Sequence, residues 1–419
     1  MTIVLLVLVL VTFFTCVYLF RKLLFANKYK DYVYLDNNGT TRIFDESLRL
    51  MDHIYRHYYG NAGGMYELGT KSKKLLELSR ERLAKLVHCD ACELYFTSGA
   101  TESNNIAIRG VYAKHKHIGK HIITTGIEHP SGIEPCKALE GAEVTVLGVD
   151  RYGKINLQEL HDAIRNDTVL VSVIVGNNEI GTIQDIAAIA RICRAKGVHL
   201  HADMTQMFGK YRIHLHELGV DSATGSGHKF HSPKSTGFLF LKTGAYFDPS
   251  ACVSGGHQEK NIRSGTENVP GIVSMTYSLY ICNVLLEEGH ATKIEKMRNW
   301  LRDTLTYNIP GIIINGHPTD CMYNTLSVCL PVNSRKVVAM LDKANIAVNT
   351  GSACSKGGTS SRVLDAIGLT PDQQQGSLRI SFGFLNTWDD CETAARFIVQ
   401  YTRLLLYKDS SARQDACPW

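Results

Sequence analysis

The sequence lacks the features that would place it in several common classes. It has no dense block of lysine or arginine, and its 45 basic and 40 acidic residues leave a formal net charge of only +5. A chain with so little excess positive charge has no basic patch of the kind that binds nucleic acid, so we set nucleic-acid-binding proteins aside. The sequence also has no internal repeat and no low-complexity linker.

The cysteines do not show the spacing pattern of a disulfide framework. The twelve cysteines are scattered, as is typical of reduced thiols in a cytosolic domain. Cys89 and Cys92 form the one CxxC pair, and a single pair cannot supply four zinc ligands. We therefore interpret that pair as a loop before a strand and predict no metal site. With 419 residues and 44% hydrophobic content, the chain can bury a large core and favours two domains over one.

Residues 1–20 carry no charge and are long enough to cross ~30 Å of hydrocarbon as a helix. Arg21, Lys22, Lys28 and Lys30 follow them. A cleaved signal peptide is the alternative, but a basic segment before the apolar run and a small-residue cleavage site are both missing. We expect a single-pass membrane anchor over 1–20, a basic juxtamembrane linker over 21–33, and a long C-terminal part that faces the cytosol.

The body of the chain alternates strand-like and helix-like segments. The strand-like apolar runs lie at 93–97, 120–126, 168–176, 197–203 and 236–242. Amphipathic segments with a helical period, such as 186–196, separate them. This alternation predicts an α/β fold with a mostly parallel, doubly wound sheet. Ligands of such sheets bind beyond the carboxyl ends of the strands.

Polar residues follow those runs in chain order, and they are Thr101, His129, Asn178, Asp203, Gln206 and Lys229. Singly, each has an ordinary explanation: Thr101 as a helix cap, His129 as a loop histidine, Asp203 as a turn residue. Together they supply a phosphate-binding helix start, a carboxylate, an imidazole and a lysine. That set is what pyridoxal phosphate chemistry needs, since lysine holds the aldehyde and a carboxylate keeps the pyridine nitrogen protonated. The polar loop around Lys229, at 225–229, is expected to turn its backbone and hydroxyls toward the phosphate.

Ordered motifs from about Tyr34 to about Gly383 carry a resemblance to a known family. They are YLDNNGTT, TSGATESNN, EHP, NNEIGTIQDI, HADMTQMFGK, GSGHKFHSPKSTGFLF, GGHQEKNIRSGTENV, NTGSACS and SLRISFG. In this order they resemble the NifS/IscS-like cysteine desulfurases, a branch of the class V, fold-type I pyridoxal phosphate enzymes. The resemblance implies a large domain over 46–271 with a seven-stranded sheet. It also implies a smaller α+β domain from 34–45 and 272–408, followed by a polar tail over 409–419.

The resemblance also implies roles for individual residues. Lys229 forms the bond to the cofactor aldehyde, Asp203 contacts the pyridine nitrogen, and His129 stacks on the ring. Gln206 bonds the phenolic oxygen, and Asn178 and Arg379 receive the amino-acid substrate. The phosphate is held by Thr101, Ser226 and His228, with Thr266 reaching the phosphate of the other subunit in a homodimer.

Cys354 is the group that decides the reaction. It lies in a stretch with glycines at 351, 357 and 358 and several serines, which predicts a mobile loop. In the family, the loop cysteine attacks the sulfur of L-cysteine, leaves alanine and becomes a persulfide. The thiolate is the nucleophile, and we expect His129 to accept the proton. The sulfur then passes to an acceptor protein, possible acceptors being iron–sulfur cluster scaffolds.

The chain departs from the family pattern in places. At 60–66, Ala62 replaces a proline, Gly63 and Gly64 follow it, and Tyr66 stands where a histidine is usual, so substrate entry or the dimer contact is expected to differ. The 37–42 segment and Ser232 and Ser235 also differ. Two alternatives remain open: another substrate, as in selenocysteine lyases or class V aminotransferases, and a non-catalytic scaffold.

Overall fold

The computed structural model describes residues 12–13, 15–17, 32–245, 247–248, 253–351 and 361–415, with side chains described as far as residue 408. Residues 12–13 and 15–17 are helical, and the rest of the predicted anchor and most of the linker lie outside the described residues. Elsewhere, the described helix Val269–Glu287 is long and apolar enough to cross a membrane by composition. However, 61% of its apolar window is buried inside the fold, as expected of a core helix.

The described strands alternate with helices through the first two thirds of the chain. The strands are β1 Val33–Tyr34, β2 Leu94–Thr97, β3 His121–Thr125, β4 Glu143–Leu147, β5 Thr168–Ile174, β6 His199–Asp203, β7 Ser222–Ser226, β8 Gly237–Leu241, β9 Ile313–Asn315, β10 Thr325–Cys329, β11 Ile346–Ala347 and β12 Ser377–Ser381. The helices are α1 Asp45–His57, α2 Glu67–Val87, α3 Ala100–His115, α4 Pro130–Lys137, α5 Leu157–Ala163, α6 Ile186–Lys196, α7 Leu215–Leu218, α8 Val269–Glu287, α9 His290–Asn308, α10 Ser334–Lys343, α11 Arg362–Ala366, α12 Pro371–Gln375 and α13 Trp388–Asp415.

The main sheet has seven strands in the order β2-β8-β7-β6-β5-β3-β4. Strands β4, β3, β5, β6 and β7 run parallel, while β8 is antiparallel to both β7 and β2. The prediction of a mostly parallel seven-stranded sheet is therefore confirmed, with one reversed strand that makes the sheet mixed. Its parallel strands β3, β5 and β6 are buried along their whole length, as expected when helices cover both faces.

The loop that we predicted at 225–229 begins later than expected. Gly225 and Ser226 still belong to β7 and pair with β8, and the turn is the single 3₁₀ turn Gly227–Lys229. Strand β7, of sequence SATGS, carries no large apolar side chain, so the hydrophobic pattern did not reveal it. Lys229 nevertheless lies three residues after the carboxyl end of β7, as a ligand-binding residue of such a sheet should.

A second core surrounds the antiparallel sheet β12-β10-β9. Helices α9 and α13 bury Leu301, Leu305 and Ile398 against Leu326 and Val328 of β10. The parallel pair of β1 with β11 ties the chain before α1 to this second core. The exact boundaries of the two predicted domains stay predictions.

Candidate active site

The carboxyl ends of the parallel strands open onto a cavity of about 490 Å³. Nine of the predicted site residues line it: Thr101, His129, Asn178, Asp203, Gln206, Ser226, His228, Lys229 and Arg379. They come from separate elements between α3 and β12, and only the tertiary fold brings them together. Thr266 is exposed and does not line this cavity, and Cys354 lies outside the described residues.

Lys229 is held by backbone carbonyls. Its Nζ donates to Asn38 O at 2.7 Å and to Gly39 O at 2.6 Å. In the turn beneath it, a Cβ at 227 would lie 2.5 Å from Ser232 Oγ and 2.6 Å from Thr236 Oγ1, so any residue other than glycine would require these side chains to shift. In the sequence, the segment that supplies these carbonyls was recognised as part of the YLDNNGTT motif and, at 37–42, as a departure from the family pattern, but neither indicated its contact with Lys229.

Asp203 ends β6 and is almost completely buried, with 3% exposure. Its Oδ2 accepts from Asn104 Nδ2 at 2.8 Å, and its Oδ1 accepts from the backbone N–H of Thr205 at 3.0 Å. Asn104 lies on α3 and is fully buried. Donors to both oxygens hold the Asp203 carboxylate in one orientation toward the cavity.

Asn104 is one end of a buried polar chain that sequence reasoning did not identify. Its Oδ1 lies 3.0 Å from His201 Nε2, whose ring also contacts Ser222 Oγ through Nδ1 at 2.8 Å. His199 Nε2 lies 2.9 Å from the same hydroxyl. Burial, the largest cause, lowers the pKa of both His199 and His201 to about 4, so both rings are neutral at pH 7. An amide oxygen only accepts, so His201 carries its proton on Nε2.

His129 caps α4 from the end of β3. Its Nδ1 accepts from the backbone N–H of Ser131 at 3.1 Å and lies 2.8 Å from Ser131 Oγ. Ser131 Oγ in turn accepts from Asn104 Nδ2 at 3.0 Å, which links His129 to the Asp203 network. Burial is the largest cause that lowers the pKa of His129. The neutral ring therefore carries its proton on Nε2.

One end of the cavity is suited to a phosphate. Helix α3 starts there with Thr101 in its first turn, where backbone N–H groups have no partner within the helix. Gly99 precedes it at φ 141°, and a Cβ at that position would lie 3.3 Å from Ser226 Oγ. His228 lines the same cavity, and its Nδ1 contacts Thr40 Oγ1 at 3.1 Å. A glycine-lined helix start with two hydroxyls and an imidazole fits an oxyanion.

Arg379 projects into the cavity from β12 and is 4% exposed. Its guanidinium donates to Asp36 Oδ1 at 2.7 Å and to the backbone carbonyl of Asn178 at 3.1 Å. Its Nε is buried and has no hydrogen-bond partner among the described residues. A planar cation with an unused donor fits a carboxylate ligand. Asp36 is a partner that the sequence did not reveal.

Residues on both sides of the predicted loop cysteine meet the cavity. Gly351 lines it, and Ser361 Oγ donates to Glu179 Oε2 at 2.6 Å. Glu179 lines the cavity as well, and burial is the largest cause that raises its pKa. Residues 352–360, with Cys354 and the predicted mobile loop, lie outside the described residues.

The departure at 60–66 forms the entry to α2. Ala62 is buried, Met65 is fully exposed, and Tyr66 precedes the first residue of the helix. The Tyr66 hydroxyl accepts from the backbone N–H of Asn61 at 3.3 Å. None of these residues lines the cavity.

The fold and the cavity define a class of protein. The family model of the class-V aminotransferases matches residues 33–393, and the chain belongs to that family. Members of this family are pyridoxal phosphate enzymes, and the donors and acceptors that line the cavity fit that cofactor: an oxyanion cradle, a buried carboxylate, an imidazole and a lysine.

Within the class, the chain is similar to proteins named cysteine desulfurase. It is 38% identical to cysteine desulfurase IscS of Methanosarcina thermophila over 377 residues, which are 89% of this chain and 92% of that protein. It is 38% identical to cysteine desulfurase 2 of Trichormus variabilis over 359 residues, covering 85% and 89%. A solved NifS-like protein aligns with a TM-score of 0.83 at 35% identity, covering 90% of this chain and all of that one.

Proposed function

We propose that the protein is a pyridoxal-phosphate-dependent cysteine desulfurase that converts L-cysteine to L-alanine and takes up the sulfur as a persulfide. One observation carries the proposal: Lys229, Asp203, His129 and Arg379 line a single cavity at the end of the sheet. Relatives at 34–38% identity over most of the chain carry the same name. A further solved relative, at 28% identity and a TM-score of 0.73, is titled SspA in complex with cysteine.

One group of cavity residues would contact the ring and aldehyde of the cofactor, and another group would hold its phosphate. Lys229 would bond to its aldehyde and Asp203 would pair with its pyridine nitrogen, where the Asn104 amide fixes the orientation of the carboxylate. Thr101, Ser226 and His228 would hold the phosphate, and Gln206 the phenolic oxygen. When bound, the cofactor withdraws electrons from the carbon atoms of the substrate. His129 would cover one face of the ring.

The amino-acid substrate requires a site for its carboxylate beside the cofactor. Arg379 is the buried cation best placed for it, and Asn178 lies next to it. Asp36 occupies one side of the guanidinium, so the substrate carboxylate would compete with Asp36 or use the unpaired Nε. Either arrangement orients L-cysteine with its side chain free to meet a nucleophile.

Cys354 would be that nucleophile. Its thiolate attacks the sulfur of L-cysteine, a sulfur–sulfur bond forms, and the carbon–sulfur bond of the substrate breaks. The bonding electrons go to carbon, which takes up a proton, and alanine leaves. The neutral His129 ring can accept a proton on Nδ1 in place of the hydrogen bonds that this atom accepts from Ser131, whose Oγ lies 2.8 Å away. The anchoring of Gly351 and Ser361 at the cavity supports a nucleophile from the segment between them.

The physiological assembly would be a homodimer. Helices α1 and α2 both pack on α8, and aromatic or apolar side chains are exposed on α1, on α8 and in the connection between α1 and α2: Tyr55, Tyr59, Met65, Tyr66, Tyr277 and Tyr280. Such a surface is typical of a subunit interface. Thr266, which is exposed in its own chain, would then reach the phosphate of the other subunit. The persulfide sulfur would pass to an acceptor protein, such as an iron–sulfur scaffold.

The uncharged residues 1–20 would anchor the enzyme in a membrane with the catalytic part in the cytosol. The test is fractionation of cells that express the full chain or a chain that starts at Lys28. The full chain should sediment with membranes through a carbonate wash, and the shortened chain should stay in the supernatant. Equal distribution of the two chains would contradict the anchor.

The activity is tested with the purified protein, pyridoxal phosphate and L-cysteine, with alanine and protein-bound persulfide measured together. Lys229→Ala should abolish both, and Cys354→Ala should abolish the persulfide. Alanine formation that survives in Cys354→Ala would favour a lyase that needs no thiol, and formation of the 2-oxo acid of cysteine in place of alanine would favour a transaminase. Release of selenide from selenocysteine with no alanine from cysteine would favour a selenocysteine lyase. Absence of bound cofactor would favour a scaffold.

A further inference from the structure

Lys210 is a deeply buried lysine that the proposed reaction does not use. It lies four residues after Gln206, in the turn that follows β6, and is 6% exposed. Among the described residues, no carboxylate forms an ion pair with it. Buried lysines without an acidic partner are rare, because transfer of an ammonium from water to a protein interior is unfavourable. The position therefore requires an explanation.

The contacts of Lys210 converge on one side chain. Its Nζ donates to Gln206 Oε1 at 2.7 Å and to the Gln206 backbone carbonyl at 3.3 Å. At the other end of the same amide, Nε2 donates to Asn38 O at 3.0 Å. An ammonium only donates and a backbone carbonyl only accepts, so both partners independently set the same orientation of the amide.

That orientation points the donor end of Gln206 toward Lys229. The Asn38 carbonyl that accepts from Gln206 also accepts from Lys229 Nζ at 2.7 Å. A cofactor whose aldehyde is bonded to Lys229 has its phenolic oxygen on the neighbouring ring carbon. The amide N–H₂ of Gln206, and not its carbonyl, is therefore the group available to that oxygen.

The charge of Lys210 has no anionic counterpart nearby in the described chain. Burial is the largest cause that lowers the pKa of Lys210 to about 7, with Lys229 adding to the effect. The other ionisable groups that face it are Cys282, His228 and His231. Burial, with a smaller contribution from Lys210, lowers the pKa of both histidines to about 4. The site thus holds excess positive potential for an anion to neutralise.

We propose that Lys210 is a positioning residue that fixes the Gln206 amide as a hydrogen-bond donor to the phenolic oxygen of the cofactor and favours the ionised form of that oxygen. The proposal rests on the proposed function in one respect, the binding of pyridoxal phosphate at Lys229. It adds a residue that the family resemblance did not include among the cofactor contacts.

The test is the pH titration of the absorbance of bound pyridoxal phosphate in the purified holoenzyme. In Lys210→Met, the midpoint of the spectral transition should rise by about one pH unit. The reason is that the chromophore loses a nearby cation and a fixed donor to its oxygen, and so holds its proton more tightly. Gln206→Leu should shift the midpoint in the same direction. The double variant should shift it by less than the sum, because Lys210 acts partly through Gln206.

Two further variants separate the effects. Lys196→Met, at the exposed end of α6, removes a lysine far from these contacts and should leave the midpoint unchanged. Lys210→Gln keeps a donor but no charge and should give a smaller shift than Lys210→Met. The Lys210→Gln variant also allows the inference to be tested when the Lys210→Met variant does not fold.

A midpoint that stays within about 0.2 units of wild type in folded, cofactor-loaded Lys210 variants would overturn the inference while leaving the proposed function intact. Strictly additive shifts in the double variant would overturn the coupling through Gln206. A wild-type protein that binds no pyridoxal phosphate would overturn the proposed function, and this inference with it.

Discussion

Replacement of Asn104 by aspartate should make the stability of the protein steeply dependent on pH. The change keeps the size of the side chain and keeps an acceptor for His201, but it replaces the N–H₂ that donates to Asp203 with an oxygen. The wild-type bond to the carboxylate is 2.8 Å long and fully buried. Hydrogen bonds to charged groups contribute about 1.5–3 kcal/mol, so that is the scale of the direct loss.

The pH dependence follows from the folded-state pKa of the introduced carboxyl. Burial and the neighbouring Asp203 both favour its protonated form, so its pKa in the folded state lies above the unfolded value of about 3.9. Above pH ~4 the unfolded state loses a proton that the folded state retains, and stability falls by about 1.4 kcal/mol per pH unit until the folded-state pKa is reached. At lower pH the protonated acid donates to Asp203 as the amide did, and the deficit is small.

The assay is urea unfolding of wild type and Asn104→Asp between pH 5 and pH 8, with Asn105→Asp as the matched control. Asn105 is the next residue on α3, is partly exposed and accepts from Arg109. We expect the deficit of Asn104→Asp to grow by about 4 kcal/mol over this range when the folded state holds the proton throughout. The deficit of the control should not grow. A deficit that is independent of pH, or equal in the two variants, would refute the role of Asn104 as a donor to Asp203.

The remaining predictions concern three buried basic side chains, which are Lys210, Arg80 and Arg379. Lys210→Met should gain stability relative to wild type as the pH falls from 10.5 to 7. The folded-state pKa of Lys210 is near 7, so folding there releases a proton, and titrations of apoprotein unfolding measure the difference. Arg80→Met should cost about 3–5 kcal/mol, because it leaves Glu259 buried without its bidentate partner at 2.7 and 2.8 Å. Adding Glu259→Gln should recover part of that loss in urea unfolding, and an additive loss would contradict the pairing. Arg379→Lys should raise KM for L-cysteine at least about tenfold in alanine-release kinetics, since an ammonium cannot replace the guanidinium fork. An unchanged KM would place the substrate carboxylate elsewhere.

The site residues at the strand ends were predictable because the sequence patterns that indicate them extend over only a few neighbouring residues. A buried parallel strand is a short apolar run, and a ligand-binding residue lies at its end or within a few positions after it, as Asp203 lies at the end of the run at 197–203. Residues such as Asn104 and Lys210 carry no comparable signal. One is an ordinary helix residue in sequence, and the other is an ordinary turn lysine. Their burial depends on which elements pack over them, and that is a property of the whole fold.

The sequence by itself determined the α/β class, the mostly parallel sheet, the cofactor and the order of the residues that face it. Periodicity predicts the strands and helices, the ordered motifs carry the family resemblance that implies the cofactor contacts, and both are properties of the linear sequence. Only the tertiary structure decided that β8 runs against its neighbours and that carbonyls of Asn38 and Gly39 hold Lys229. It also decided that Lys210 sets the orientation of Gln206. These contacts join residues up to 191 positions apart, and their partners are chosen by packing and by the need to satisfy buried donors, which no local pattern records.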